Sequence, residues 1–347
     1  MLSKEQVKKI CVGIKNARIG IIGDFCVDIY WHADMTKSEL SRETPHYPLP
    51  IVCERVYLGA GGNVASNLAA LSPKELIPIS LIGGDWRGIL MEDIFQKSGM
   101  DRDFVIKVPD RFTNAYCKPM RKGISELEYE DPRLDFDNYE PISKETEDKV
   151  IENLRKISGN IDVLCVADQF RFGIITKRVR DEIIALAKSG LTVIADSRYN
   201  IGKYTDCILK PNEVECWRAV YNNEGYINAG YDEFIEAAKL LAKKNRSTVF
   251  CTLGKRGSIV TDGDRTEKAD AVLFDGEVDI CGAGDTSLSA FSAAIAAKTE
   301  LKAAAQFARV RRDGQENRRH GHGIARGNRS ARTVKNKTKR HRNEFFN

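Results

Sequence analysis

The chain lacks any apolar run approaching the roughly 18 residues that a membrane-spanning helix needs. Met1–Lys9 is polar and charged, unlike a secretory leader. These absences predict a cytoplasmic protein with no membrane partner. There is no CxxC pair. The nine cysteines stand singly at positions 11, 26, 53, 117, 165, 207, 216, 251 and 281. That excludes a zinc ribbon or a paired disulfide framework and predicts reduced thiols, most of them small core residues. No GxxxxGK[ST] segment occurs, so a P-loop nucleotide site is excluded, and no internal repeat is present. A basic body is missing as well. The net charge is +5, but residues 308–347 hold thirteen of the 54 Lys/Arg and three of the 49 Asp/Glu, a net of +10. The remainder carries −5, which argues against nucleic acid as a partner.

What is present is enough chain, 347 residues with 42% hydrophobic, for one large α/β domain or two smaller ones. Hydrophobic periodicity predicts helices over Lys4–Lys15, Asn63–Leu71, Met91–Ser98, Glu145–Ile157, Lys177–Ser189, Tyr231–Lys244 and Asp285–Ala297. Buried strands are predicted at Arg18–Ile22, Ile77–Ile82, Val163–Ala167, Thr192–Asp196, Cys207–Lys210 and Thr248–Thr252, with a hairpin around Asp262-Gly263. Alternating strands and helices imply an α/β fold, a mainly parallel sheet flanked by helices. Pro48–Tyr57 and Thr113–Tyr129 read as exposed strands of a small antiparallel sheet standing off that body. Ligands of parallel sheets bind beyond the carboxyl ends of the strands. Gly23-Asp24, Gly83-Gly84-Asp85, Asp168, Asp196 and Gly254 all fall there.

Cys281-Gly282-Ala283-Gly284-Asp285-Thr286 precedes a helix of small residues. Unpaired amides and the dipole at a helix start favour negative charge. Charge developing on a transferring phosphoryl group would be stabilised there. Asp285 is placed to accept a proton from an attacking hydroxyl, or simply to cap the helix; the loop alone leaves both open. The glycine cluster Gly59-Ala60-Gly61-Gly62 ahead of Asn63 permits close approach to a polyol, or the start of a packed core helix. Asp28 is a sugar clamp or a turn residue.

These segments together resemble the signatures of the ribokinase (PfkB) carbohydrate kinase family: DICGAGDTSLSAF at one end and GAGGNVASN at the other. The resemblance implies that Asp285 is the catalytic base. The amides of Gly282, Ala283 and Gly284 would form the anion hole. Asp24, Asp28, Gly61, Gly62 and Asn63 would bind the sugar. Asn212 and Glu215 match an NxxE element that organises Mg²⁺ and phosphates, Glu215 acting on the metal indirectly. Thr252, Gly254 and Gly257 match a turn near the nucleotide phosphates. Asp279 matches the leading aspartate of the first signature, whereas Ile280-Cys281 replaces a common hydroxyl-bearing pair. GDFCVDIYW, SRETPHYPLPIV, LDFD and KPNEVE bring residues 18–307 nearest the heptose 7-phosphate kinase branch. The implied activity is ATP- and Mg²⁺-dependent phosphoryl transfer to a hydroxyl of a sugar or sugar phosphate of the heptose 7-phosphate type. A kinase domain over 1–307 would carry a lid from about 42–58 and 113–130 and could dimerise through it. Arg42, Arg121 and Lys122 are available to a substrate phosphate. The alternative is a non-catalytic sugar- or nucleotide-binding remnant.

Residues 308–347 do not fit that family. Ala, Val, Ile and Phe number eight of forty, and no periodicity survives. A disordered basic tail, a metal site at His320 and His322, and a change of reading frame after about Phe307 compete as explanations. The abrupt change within an expected helix favours the last, which would leave the adenine side of the fold incomplete. It predicts that a neighbouring frame of the DNA encodes an apolar continuation. Sequencing that finds none would eliminate it.

Overall fold

The computed structural model describes residues 2–125, 127–269 and 282–309. The segment 310–347 and Asp279–Cys281 of the glycine loop lie outside the described residues. Helix α1 (Lys4–Ile14) leads to β1 (Arg18–Gly23), β2 (Phe25–Asp34), β3 (Ile51–Ala60), α2 (Gly61–Ala70), β4 (Glu75–Ile82), α3 (Trp86–Ser98), β5 (Val105–Lys107), β6 (Ala115–Lys122), β7 (Glu128–Glu130) and β8 (Leu134–Phe136). The second half runs α4 (Lys144–Ser158), β9 (Val163–Asp168), α5 (Lys177–Lys188), β10 (Thr192–Ser197), β11 (Ile208–Leu209), α6 (Glu213–Tyr221), α7 (Tyr231–Asn245), β12 (Val249–Thr252), β13 (Ser258–Thr261), β14 (Thr266–Ala269) and α8 (Ala283–Ala296). A further helix covers 301–309.

Nine strands form one sheet in the order β14-β13-β12-β11-β10-β9-β1-β4-β5. Every neighbouring pair from β12 to β5 is parallel, and β13 and β14 close one edge as an antiparallel hairpin. β1 and β9 are buried along almost their whole length, as a sheet covered on both faces demands. One apolar layer joins α1, α2, α3, α8 and the 301–309 helix; the other joins α4, α5 and α7. From β1 the order steps to β4 on one side, while β9 to β12 build the other. The crevice between β1 and β9 is therefore the topological switch point, the favoured ligand position of such sheets.

The second sheet follows the order β3-β2-β6-β7, with β8 also on β6. It differs from the expectation in two ways. Its longest member beside β3 is β2, a segment for which the sequence predicts no strand. It is also mixed, because β2 runs parallel to β6 while its other pairs are antiparallel. α6 is a second unexpected element, starting at the NxxE motif itself. α2 starts at Gly61, two residues earlier than expected, and α3 at Trp86, five earlier.

The face carrying α8 is held to the sheet by Phe291 stacked on Phe250, with ring centroids 4.4 Å apart and planes 18° apart. Both rings are fully buried. Phe291→Ala is expected to cost about 3–5 kcal/mol, because the cavity cannot collapse between a strand and a helix. Urea unfolding of the two proteins measures it.

Candidate active site

Gly282 takes φ +75° and ends on the first turn of α8. A Cβ is strained in that left-handed region, so glycine suits the entry to the helix. Asp285 sits in that first turn, its Oδ2 accepting a 2.7 Å hydrogen bond from Asn63 Nδ2. One turn along α2, Asn67 Nδ2 donates to Thr286 Oγ1 at 3.3 Å. The starts of two helices far apart in sequence are thus tied by polar side chains. Burial lifts the Asp285 carboxyl to about 6; the Asn63 bond and nearby Lys210 oppose this, and Asp196 and Asp28 add to it.

Asp28 lies on β2 between Tyr57 of β3 and Tyr116 of β6. Its carboxylate packs over Gly59, where an added Cβ would come within 2.9 Å of it. Gly61, Gly62 and Asn63 are buried in the first turn of α2, and Gly61 donates its amide to the Asp24 carbonyl at 2.8 Å. Of these residues Asn63 reaches Asp285 directly, and Asp28 lies near enough for its charge to act on it.

Asp24 is placed differently from that expectation. Its Oδ2 accepts the amides of Gln169 and Phe170 at 2.8 and 2.7 Å, and its Oδ1 accepts that of Ile174 at 2.7 Å. Both oxygens are engaged by the loop after β9, and Gly173 lies so close that a Cβ there would overlap the carboxylate. Burial and neighbouring Asp168 push Asp24 up to about 7, against the pull of the three amides. A side chain so occupied ties down a loop at the switch point and has little left for a sugar.

At the other end, Asn212 caps α6. Its Oδ1 accepts the Glu215 amide and Glu215 Oε2 accepts the Asn212 amide, both at 2.8 Å, a reciprocal capping box. Glu215 is raised to about 7 by burial and Asp196, with Lys210 opposing. Thr252, at the end of β12, bridges to Asn212, and its amide donates to the Pro211 carbonyl at 3.0 Å. Gly254 begins the short turn that follows, with φ +54°, near the Glu213 carboxylate. Gly257 ends that turn, its carbonyl accepting the Leu253 amide at 2.8 Å. Asn212, Glu215, Thr252, Gly254 and Gly257 thus form one cluster beyond β11 and β12. Lys210 connects it to Asp285: its buried Nζ lies 2.5 Å from Asp196 Oδ2 and would be 3.9 Å from a Cβ on Gly284.

Residues 49–310 match the description pfkB family carbohydrate kinase. The chain belongs to that family. It is a carbohydrate kinase, a phosphotransferase with an alcohol acceptor. Among curated relatives, the Bifunctional protein HldE of Geotalea uraniireducens is 28% identical over 317 residues, 89% of this chain and 61% of that protein. HldE of Nitratiruptor sp. is 27% identical over 300 residues, covering 84% and 60%. The chain thus spans about three fifths of the relatives it matches. Phosphofructokinase-2 from Escherichia coli in complex with fructose-6-phosphate superposes with TM-score 0.68 at 18% identity, covering 87% of this chain and 94% of that one. Arabidopsis thaliana ribokinase complexed with ribose and ATP gives 0.61 at 20%, covering 84% and 90%. At such identities these two establish the ribokinase-like fold.

For this PfkB kinase, sequence reasoning underrated Lys210, Asp196 and Asp168. Asp168 is fully buried and accepts bonds from Ser197 Oγ at 2.7 Å and Tyr204 OH at 3.0 Å. The signal available was a carboxylate closing each of two adjacent strands. Arg121, considered for a substrate phosphate, pairs with Asp131 at 3.0 Å. No helix among the described residues is long and apolar enough to cross a membrane.

Asp24→Asn must turn an NH₂ toward an amide that needs an acceptor. A loss of about 1–3 kcal/mol is expected, read by urea unfolding, with faster proteolysis in the 169–174 loop. Unchanged stability and unchanged cleavage would refute the loop-tying role.

Proposed function

We infer that the protein transfers the γ-phosphoryl group of ATP to a hydroxyl of a sugar phosphate of the heptose 7-phosphate class. The observation that carries this is the Asn63–Asp285 bond, a half-buried carboxylate at a helix start reached by an amide from the glycine-led helix α2. Asp285 is read as the base that takes the hydroxyl proton. The amides of Gly282, Ala283 and Gly284, with the α8 dipole, would stabilise charge on the transferring group. Asp28 and Asn63 are read as holding the acceptor sugar, with Asp24 fixing the loop behind it. The heptose class rests on the HldE relatives and on segments such as GDFCVDIYW and KPNEVE.

Kinases of this family use ATP, typically with Mg²⁺. Among the described residues no three His, Cys, Asp or Glu side chains converge on a metal position. Mg²⁺ keeps several waters and takes most remaining oxygens from phosphates. Asp196 and Glu215 would act on it through water, and the metal would supply charge neutralisation at the phosphates. Lys210, held by Asp196, would add a fixed positive charge beside the glycine loop. Thr252, Gly254 and Gly257 are assigned to the nucleotide side by their packing against Asn212.

Asp285→Asn is expected to lower kcat by roughly 10²–10⁴-fold, the usual worth of a general base. Its stability should hold or rise, because a carboxyl that its surroundings lift to about 6 is costly to ionise. In the unmutated kinase the ionised base is present above about pH 6 and is lost below it. The rate at low substrate should therefore fall as pH drops through 6. ADP release across pH 5–8, with heptose 7-phosphate as acceptor, checks both; a variant as fast as the parent would refute the base assignment.

A further inference from the structure

Helix α2 carries two asparagines one turn apart, Asn63 and Asn67, and residues four apart share a helix face. Asn63 reaches the Asp285 carboxylate. Asn67 reaches the next residue instead. Its Nδ2 donates to Thr286 Oγ1 at 3.3 Å, and that hydroxyl in turn donates to the Gly282 carbonyl at 3.0 Å. The Thr286 amide donates to the same carbonyl at 2.9 Å. Asn67 and Thr286 are each only 6% exposed, so water cannot readily replace either partner.

Chemistry fixes the direction of these bonds. A hydroxyl has one proton and two lone pairs, and an NH₂ group only donates. Asn67 therefore occupies a lone pair of Thr286 and leaves its proton for Gly282. The Gly282 carbonyl shares one planar trans peptide with the Ala283 N–H, and the two point in opposite directions. Whatever holds that carbonyl along the helix also aims the amide out of the helix N-terminus. The glycines on either side of Ala283 restrain this peptide little. Gly282 stands at φ +75° with no Cβ, and the nearest atom to a Cβ on Gly284 would be Lys210 Nζ, 3.9 Å away. A threonine bonded back to the preceding turn does not by itself strengthen a helix, so helix formation does not account for the buried Asn67–Thr286 pair.

We propose that Asn67 and Thr286 are positioning residues for phosphoryl transfer: the relay from Asn67 through Thr286 to the Gly282 carbonyl aims the Ala283 amide at the transferring group. This rests on the reading above that the Ala283 amide faces the developing charge, and deepens it. Neither side chain touches a reactant in this scheme. One helix, α2, then serves both halves of the reaction, through Asn63 at the base and through Asn67 at the anion hole. A displacement of α2 disturbs both together.

Thr286→Val keeps the shape of the side chain and removes the relay. In the full chain, with heptose 7-phosphate as acceptor, it should lower kcat roughly 10–100-fold, less than outright loss of an oxyanion donor, and leave KM for ATP and sugar within about twofold of the parent. Thr286→Ser, which retains the hydroxyl, should regain most of the rate; a loss equal to that of Thr286→Val would mean that the methyl packing alone matters, and would overturn the relay. The fall in rate below about pH 6 should stay where it is in every variant, because the Asn63–Asp285 bond is untouched. Asn67→Ala should lose less than Thr286→Val, and the double variant no more than Thr286→Val alone, since Asn67 acts only through the hydroxyl. Additive losses, or a Thr286→Val enzyme as fast as the parent, would also overturn it. Calorimetry of ADP with Mg²⁺ and aluminium fluoride, which mimics the transferring group, needs no turnover. Thr286→Val should bind this complex about tenfold or more weakly yet bind ADP alone as the parent does. Equal weakening of both would mean a general collapse of the nucleotide side and would count against the relay. A parent that shows this difference but phosphorylates no heptose 7-phosphate refutes the acceptor class above while leaving the relay standing.

Discussion

The site is organised around the cost of keeping a carboxylate out of water. Asp285 is half-buried and crowded by protein atoms, so its ionised form gains from a donor at close range, and the Asn63 amide supplies one at 2.7 Å. That bond forms only if the starts of α2 and α8 meet, which in turn requires both helices on the same face of the sheet, packed with Phe291, Leu68 and Val64. The apolar layer and the chemistry are therefore not separable. The same face that buries the core also decides whether Asp285 has its partner.

A second group of buried charges follows the same rule. Asp196 and Lys210 neutralise one another beyond the ends of two adjacent strands, and Glu215 shares their field. Pairs of this kind seldom raise stability over an apolar alternative, which accords with the ligand-side role proposed for them above. Asp24 and Asp168, by contrast, spend their oxygens on backbone and side-chain donors of their own neighbourhood. Asp24 and Asp168 thus serve the crevice itself, whereas Asp196 and Glu215 gather around Lys210.

Much of this was legible in the sequence because it is local. Gly282–Asp285, Gly61–Asn63 and the Asn212–Glu215 box are short segments whose geometry is set by their own glycines and caps. β2 was missed because Tyr30, Trp31 and His32 place bulky residues on both faces and hide the period of two that Val27, Ile29 and Ala33 would otherwise show. The Asp196–Lys210 pair was illegible for another reason. It exists because β10 and β11 pair in parallel with Ala195 beside Leu209, a register that no local pattern announces. The engagement of Asp24 likewise depends on a loop 145 residues away folding back onto it.

Only Asp24 separates β1 from β2. The smaller sheet therefore grows directly out of the central strand of the larger one, like a plank whose built-in end is bolted by three amides. A strip fixed at one end bends least at its root and most at its tip. Asp28, four residues from the bolt, inherits the rigidity of the main sheet. Tyr30 lies two residues farther out on the same strand, paired on both sides by β3 and β6. Whatever displaces the 169–174 loop must therefore also displace the root of the strand that carries Asp28.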